Sequence, residues 1–255
     1  MPNKNSKNET SSKQKRKQTM VVMISTVVVL LLIAGIVAIV LQNKDKAPGE
    51  QAKTNATSDT GTQHSLVEKD SQISYANEPR MGQADAPVRI AEFGDYKCMF
   101  CHQFEMEVFP KLKKDFIDTG KVQFYFMNYT IIAQDSVNAA NAGEAVYAMY
   151  PDHFWDFHQL LYENQGPETE AWVTNDLLIN LAKKAVPNLD VNKFTAALDQ
   201  MSYIDQIRTD VNMGKAAGVT GTPTVFINGT MVPGQDTLDY DSLKAYIQKA
   251  IDGEK

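Results

Sequence analysis

Cys98 and Cys101 are the only two cysteines in the 255-residue chain, and they fall in the run Cys98-Met99-Phe100-Cys101-His102. A disulfide between residues three apart closes too small a loop to staple distant segments, which is what structural disulfides do. The spacing suits reversible thiol–disulfide exchange, in which a thiolate attacks a disulfide sulfur through a mixed disulfide. Other chemistries fit the same residues. With His102 the run reads C-x-x-C-H, the attachment pattern for a c-type haem. Zinc would need two more ligands, and His153 and His158 are the closest-spaced pair of histidines. About 50 residues separate them from the cysteines, against the roughly 12–15 of finger-type sites. Two buried thiols with no chemistry are the plainest alternative.

The flanking pattern says what holds the cysteines. Val88–Phe93 (VRIAEF) predicts a strand, bounded by Asp85-Ala86-Pro87 and Gly94-Asp95. Cys101, Phe104, Val108, Leu112 and Phe116 recur at three- and four-residue spacing, which predicts one buried helical face. Cys98 thus sits where a strand hands over to a helix. Unpaired N–H groups and the helix dipole stabilise negative charge there, lowering a thiol pKa from about 8.5 into a range of roughly 3.5–7.5. Cys98 is accordingly the candidate nucleophile, and Cys101, one turn in, the shielded resolving thiol. Pro110 predicts a kink in that helix, because it removes a ladder donor, and Gly120 ends it.

Val122–Asn128 (VQFYFMN) predicts a second, central strand. Residues 134–217 carry no strand signal and predict four or five helices, punctuated at Tyr150-Pro151, Gly166-Pro167 and Pro187-Asn188. Thr224–Ile227 predicts a strand, Asn228-Gly229 a type I′ hairpin turn, Thr230–Val232 its return strand and Tyr240–Ile251 a closing amphipathic helix.

Composition places this α/β domain in the C-terminal part of the chain. All 23 aromatic residues (11 Phe, 10 Tyr, 2 Trp) lie from Tyr75 onward, so the globular domain is assigned to 75–255. Residues 1–17 form a basic tail of net charge +5, against −6 for the whole chain. The acidic remainder argues against a nucleic-acid partner, which would demand clustered Lys and Arg. Residues 18–43 are uncharged and Met20–Leu41 is almost continuously apolar, long enough to span a hydrocarbon core of about 30 Å. The expectation is an uncleaved single-pass anchor. Its basic N-terminal flank places that end in the cytoplasm and the domain outside the membrane. Residues 44–74, polar and poor in anything to bury, predict a disordered tether of about 30 Å r.m.s. span.

The run Glu92-Phe93-Gly94-Asp95-Tyr96-Lys97-Cys98-Met99-Phe100-Cys101-His102-Gln103-Phe104-Glu105 resembles the active-site segment of the DsbA-like thiol–disulfide oxidoreductases. Gly218-Val219-Thr220-Gly221-Thr222-Pro223-Thr224-Val225-Phe226-Ile227-Asn228-Gly229 resembles their cis-proline loop and hairpin. The resemblance implies a thioredoxin-like fold with an inserted helical subdomain, preceded here by the transmembrane helix. It implies Cys98 as nucleophile and Cys101 as its partner, with no organic cofactor and no metal. Glu92 would be a buried acid of raised pKa that shuttles the proton of Cys101. Pro223 would be cis, and Thr222, Pro223, Met99 and Phe100 would face substrate. The implied activity is an extracytoplasmic oxidase that passes its disulfide to reduced secreted or surface proteins. A DsbB-like, quinone-linked membrane protein would recharge it. A reductase or isomerase of the same fold is the alternative. The chain departs from strongly oxidising members that carry Pro-His between the cysteines: Met99-Phe100 offers neither charge nor ring N–H.

Overall fold

The computed structural model describes residues 73–253. The basic tail at 1–17, the anchor at 18–43 and nearly all of the tether at 44–74 lie outside the described residues. Among the described residues, no helix is long and apolar enough to cross a membrane.

Five strands form one sheet in the order β1-β3-β2-β4-β5: β1 is Arg80–Met81, β2 Val88–Gly94, β3 Val122–Asn128, β4 Thr224–Ile227 and β5 Thr230–Met231. The central strands β2 and β3 are parallel, and every other pairing is antiparallel. A parallel pair needs a crossover, and the helix of the cysteines supplies it. This helix, α1, begins as an α segment at Met99–Gln103 and widens to a π turn at Phe104–Val108. It then continues through Phe109–Leu112 and a second π turn at Lys113–Ile117. Pro110 opens the segment that follows the first π turn. Its missing N–H therefore falls where the ladder has already changed register, and the helix runs on past it.

The helical block expected at 134–217 is five α-helices: α2 (Gln134–Met149), α3 (Phe154–Glu163), α4 (Asn175–Ala185), α5 (Val191–Asp199) and α6 (Ile204–Ala216). Thr174 and Asp190 cap α4 and α5 by accepting from the backbone N–H of Leu177 and Lys193. The hairpin turn is formed as its sequence predicted, with Asn228 at φ 48° and Gly229 at φ 76°. Its return strand stops at Met231, one residue short of the expected Val232. The short helix α7 (Gly234–Thr237) and the edge strand β1 gave no sequence signal, and α8 (Tyr240–Ile251) closes the fold.

The apolar clusters explain how the sheet is covered. Val88, Ile90, Phe124, Val225 and Ile227 pack under α1 and α8, against Phe104, Leu112, Leu243 and Ile247. Ala91, Phe93, Met127, Tyr129 and Phe226 line the opposite face with Val219. The third cluster fills the helical insertion with Phe154, Phe157, Leu161, Leu178 and Phe194, and reaches Tyr96, Phe126, Cys98 and Cys101. The insertion is therefore part of the packing around both cysteines.

Candidate active site

The turn between β2 and α1 is built to tight tolerances. Gly94 ends the strand, and a Cβ there would meet Cε2 of Phe126 at 2.5 Å. Asp95, only 1% exposed, organises the turn with both carboxylate oxygens. Its Oδ1 accepts from the N–H of Lys97 (2.9 Å), and its Oδ2 accepts from Ile131 (2.9 Å) and Ile132 (3.2 Å). Its carbonyl accepts from the Cys98 N–H at 2.9 Å. Cys98 is thereby held in extended backbone at the N-cap of α1.

Both cysteines are free thiols. Cys98 is 5% exposed and Cys101 fully buried. The Cys98 Sγ donates to the carbonyl of Thr222 at 3.2 Å, from across the site, and the Asp95 N–H reaches the Cys101 Sγ at 3.5 Å. The Thr222-Pro223 peptide is cis, and both residues are half-buried beside the sulfurs. Met99 and Phe100 turn outward, 59% and 49% exposed, and Ile131, whose N–H is held by Asp95, is likewise exposed at 47%. Glu92 is 2% exposed and lies in register with Phe126 and Val225, beneath the cysteines on the face that α1 covers.

The two sulfurs have opposite electrostatics. Cys98 is lowered from 9.0 to about 6. The largest cause is the hydrogen bond from the Cys101 thiol, with burial opposing it. The Thr222 side chain, as distinct from its carbonyl, and the N–H groups of Cys101 and Phe100 add to the lowering. The helix terminus that the sequence points to is thus a contributor, ranked below the partner thiol. Cys101 is pushed well up by burial, by its hydrogen bond to Cys98 and by the charge of Glu92. Glu92 is itself raised well above the carboxylate range by burial, then by the charges of Glu105 and Cys98.

Several residues that sequence reasoning passed over also converge here. Lys97, 2% exposed, is turned away from the sulfurs by Asp135 (2.8 Å) and by the carbonyl of Glu170 (2.7 Å). From the insertion, Gln165 Nε2 donates to the carbonyls of Tyr96 (2.9 Å) and Cys98 (3.0 Å). The N–H of Met99 donates to Glu168 Oε2 at 3.3 Å. His158, weighed as a zinc ligand, is fully buried with Nδ1 at 2.9 Å from the Tyr96 hydroxyl and Nε2 at 3.5 Å from Glu105. His153 lies 3.5 Å from Asp156. The structure does not bring these two histidines together with the cysteines: among the described residues, no three His, Cys, Asp or Glu side chains are grouped to hold a metal ion. His102 is half-buried in the first turns of α1. None of these long-range partners has a local sequence signal. Asp95, Lys97 and Glu105 stand in the active-site run Glu92–Glu105, where Asp95 reads as a turn residue and the other two have no assigned role.

Comparisons with known proteins converge on one kind of molecule. A family model described as Thioredoxin matches residues 74–249. Probable disulfide bond formation protein D of Bacillus anthracis is 38% identical over 179 residues, covering 70% of this chain and 81% of that protein. Disulfide bond formation protein D of Bacillus subtilis is 38% identical over 183 residues, 72% of this chain and 81% of the relative. Among solved structures, oxidised BdbD from Bacillus subtilis matches with a TM-score of 0.68 at 38% identity, covering 71% of this chain and 96% of that one. DsbA of Chlamydia trachomatis matches with a TM-score of 0.63 over 70% of this chain and 93% of that one. At 22% identity its likeness concerns the fold.

Proposed function

The chain belongs to the DsbA-like family of thioredoxin-fold protein disulfide oxidoreductases, and we propose that it works as an oxidase whose exchanging sulfur is Cys98. The observation that carries this reading is the asymmetry of the two sulfurs, one lowered to about 6 and the other pushed well up. A stabilised Cys98 thiolate is a good leaving group and stabilises the reduced form, which is what makes a dithiol pair oxidising.

The steps follow from that asymmetry. A substrate thiolate attacks the Cys98 sulfur of the Cys98–Cys101 disulfide, forming a mixed disulfide and expelling Cys101. Glu92, whose carboxyl is biased toward its protonated form by burial, would donate a proton to Cys101. A second substrate thiolate then attacks the substrate sulfur of the mixed disulfide. It forms the substrate's disulfide and releases Cys98 as thiolate. The backbone of Thr222 would pair with the substrate strand beside Pro223, with Met99 and Phe100 as apolar contacts. Two electrons and the protons would leave through a DsbB-like, quinone-linked membrane protein. The exchange itself uses the cysteine pair with no organic cofactor or metal.

Residues 75–255 would work outside the membrane, anchored by 18–43 and spaced from it by 44–74. Substrates would be reduced secreted or surface proteins. A reductase or isomerase role has one specific observation in its favour: Met99-Phe100 supplies no side-chain donor to the thiolate, only the Phe100 N–H. The equilibrium of the pair with glutathione separates these roles. The residue assignments are tested by trapping in vivo. Cys101→Ala should accumulate reductant-sensitive adducts on Cys98, and Cys98→Ala should not. Equal trapping by both variants would overturn the assignment.

A further inference from the structure

The segment that leaves α3 is strapped across the active-site turn, and four of its hydrogen bonds land on residues 96–99. Gln165 donates to the carbonyls of Tyr96 and Cys98. Lys97 donates to the carbonyl of Glu170 while Asp135 holds the same ammonium. A turn closed by the Glu170 N–H on the Pro167 carbonyl (3.0 Å) presents Glu168, whose carboxylate accepts from the N–H of Met99. Gln165 and Lys97 satisfy buried polar groups, so folding alone explains them. Glu168 is different. It is exposed, it needs no partner, and it places a negative charge on the first N–H donor of α1, next to Cys98.

We propose that Glu168 is a redox-tuning residue, whose carboxylate competes with the Cys98 thiolate for the start of α1 and makes the protein a weaker oxidant than its active-site helix alone would. The inference rests on the reading of Cys98 as the sulfur that carries charge in the reduced form. In the disulfide neither sulfur is charged, so the carboxylate penalises only the dithiol state. Like charges sharing one helix terminus disfavour each other's ionised forms. The other carboxyl and ammonium groups near Cys98 do not sit on this helix start. Lys97 is neutralised by Asp135, and Glu92 and Glu105 are buried beneath the turn. Glu168 is an exposed charge on this terminus, so its effect should be modest and sensitive to salt.

The test is the redox equilibrium of the full-length chain with glutathione at pH 7, in low salt and in about 1 M salt, where the Debye length is about 3 Å. Glu168→Gln keeps the shape and an acceptor but removes the charge. It should shift the equilibrium about 3-fold toward the dithiol in low salt, roughly 14 mV at 29.6 mV per tenfold. The shift should fade in high salt, and Glu168→Asp, which keeps the charge, should stay close to wild type. Three results would overturn the proposal. These are no shift in Glu168→Gln, a shift in Glu168→Ala alone, which would make the strap's shape responsible, and a shift that high salt leaves intact. The trapping experiment with Cys101→Ala does not involve Glu168, so a failure of the Cys98 assignment shows there separately.

Discussion

Removing the Cys101 thiol should make Cys98 a poorer thiolate, although Cys101 never meets substrate in the proposed mechanism. The Cys101 hydrogen bond is the largest of the effects that bring Cys98 down to about 6. Hydrogen bonds to a charged group contribute about 1.5–3 kcal/mol, and a weak thiol donor belongs at the lower end. At 1.36 kcal/mol for each tenfold change in acidity, Cys101→Ala should raise the proton affinity of Cys98 about tenfold. The contributions of Thr222 and of the N–H groups at 100 and 101 remain, so Cys98 stays more acidic than a free thiol. At pH 6 the wild-type thiolate fraction is about one half, and in the variant it should be about one tenth. Alkylation of Cys98 by iodoacetamide at pH 6 should therefore slow about 5-fold in Cys101→Ala. A titration of thiolate absorbance should show the same displacement. Cys101→Ser, which restores an O–H donor at that position, should recover most of the wild-type acidity. If Cys101→Ala alkylates at the wild-type rate at pH 6, the helix terminus holds the charge unaided and the ranking of causes is wrong.

Glu92→Gln should slow mixed-disulfide formation by on the order of 10²-fold and yet raise the melting temperature at pH 8. The folded protein keeps a proton on Glu92 that the unfolded chain gives up above 4.5, so the wild type loses stability as pH rises and Gln does not. Equal melting temperatures at pH 8 would refute the buried-acid argument. Away from the cysteines, burial raises Glu78 to about 9, Glu144 to about 8 and Asp210 to about 6, and the charge of Asp210 adds to both glutamates. All three are raised above their unfolded values, so their contribution is fully present below about 4 and is lost as pH climbs from there through about 6 for Asp210 and on to about 8 and 9 for Glu144 and Glu78. Glu144→Gln should flatten that fall in a pH series of thermal melts, and an unchanged slope would count against the repulsion. Gly94→Ala should destabilise the domain by about 1–3 kcal/mol in denaturant unfolding, because its methyl group would press on the Phe126 ring. A wild-type midpoint would show that Phe126 can yield.

The sequence by itself determined the elements whose signals are local. The period of Cys101, Phe104, Val108, Leu112 and Phe116 specifies the buried face of α1, because a helix repeats its contacts every three or four residues. Asn228-Gly229 specifies the hairpin turn, because few residue pairs tolerate two positive φ values. Cys98 and Cys101 show their chemistry through their spacing together with the two runs, Glu92–Glu105 and Gly218–Gly229, in which the family resemblance lies. Short edge pairing was not legible: β1 is two residues, Arg80 and Met81, held by partners on β3 far along the chain. The same limit applied at the site. Its electrostatics depend on which groups a strand-to-helix turn and a helical insertion bring within hydrogen-bonding distance, and hydrogen bonds between distant segments leave no periodic trace. Only the tertiary structure placed Glu92 beneath the sulfurs, set Asp95 as the organiser of the turn and turned Lys97 away into Asp135. It also ranked the Cys101 thiol above the helix terminus as the stabiliser of Cys98. That ranking depends on burial and mutual distance, which the order of residues along the chain does not carry.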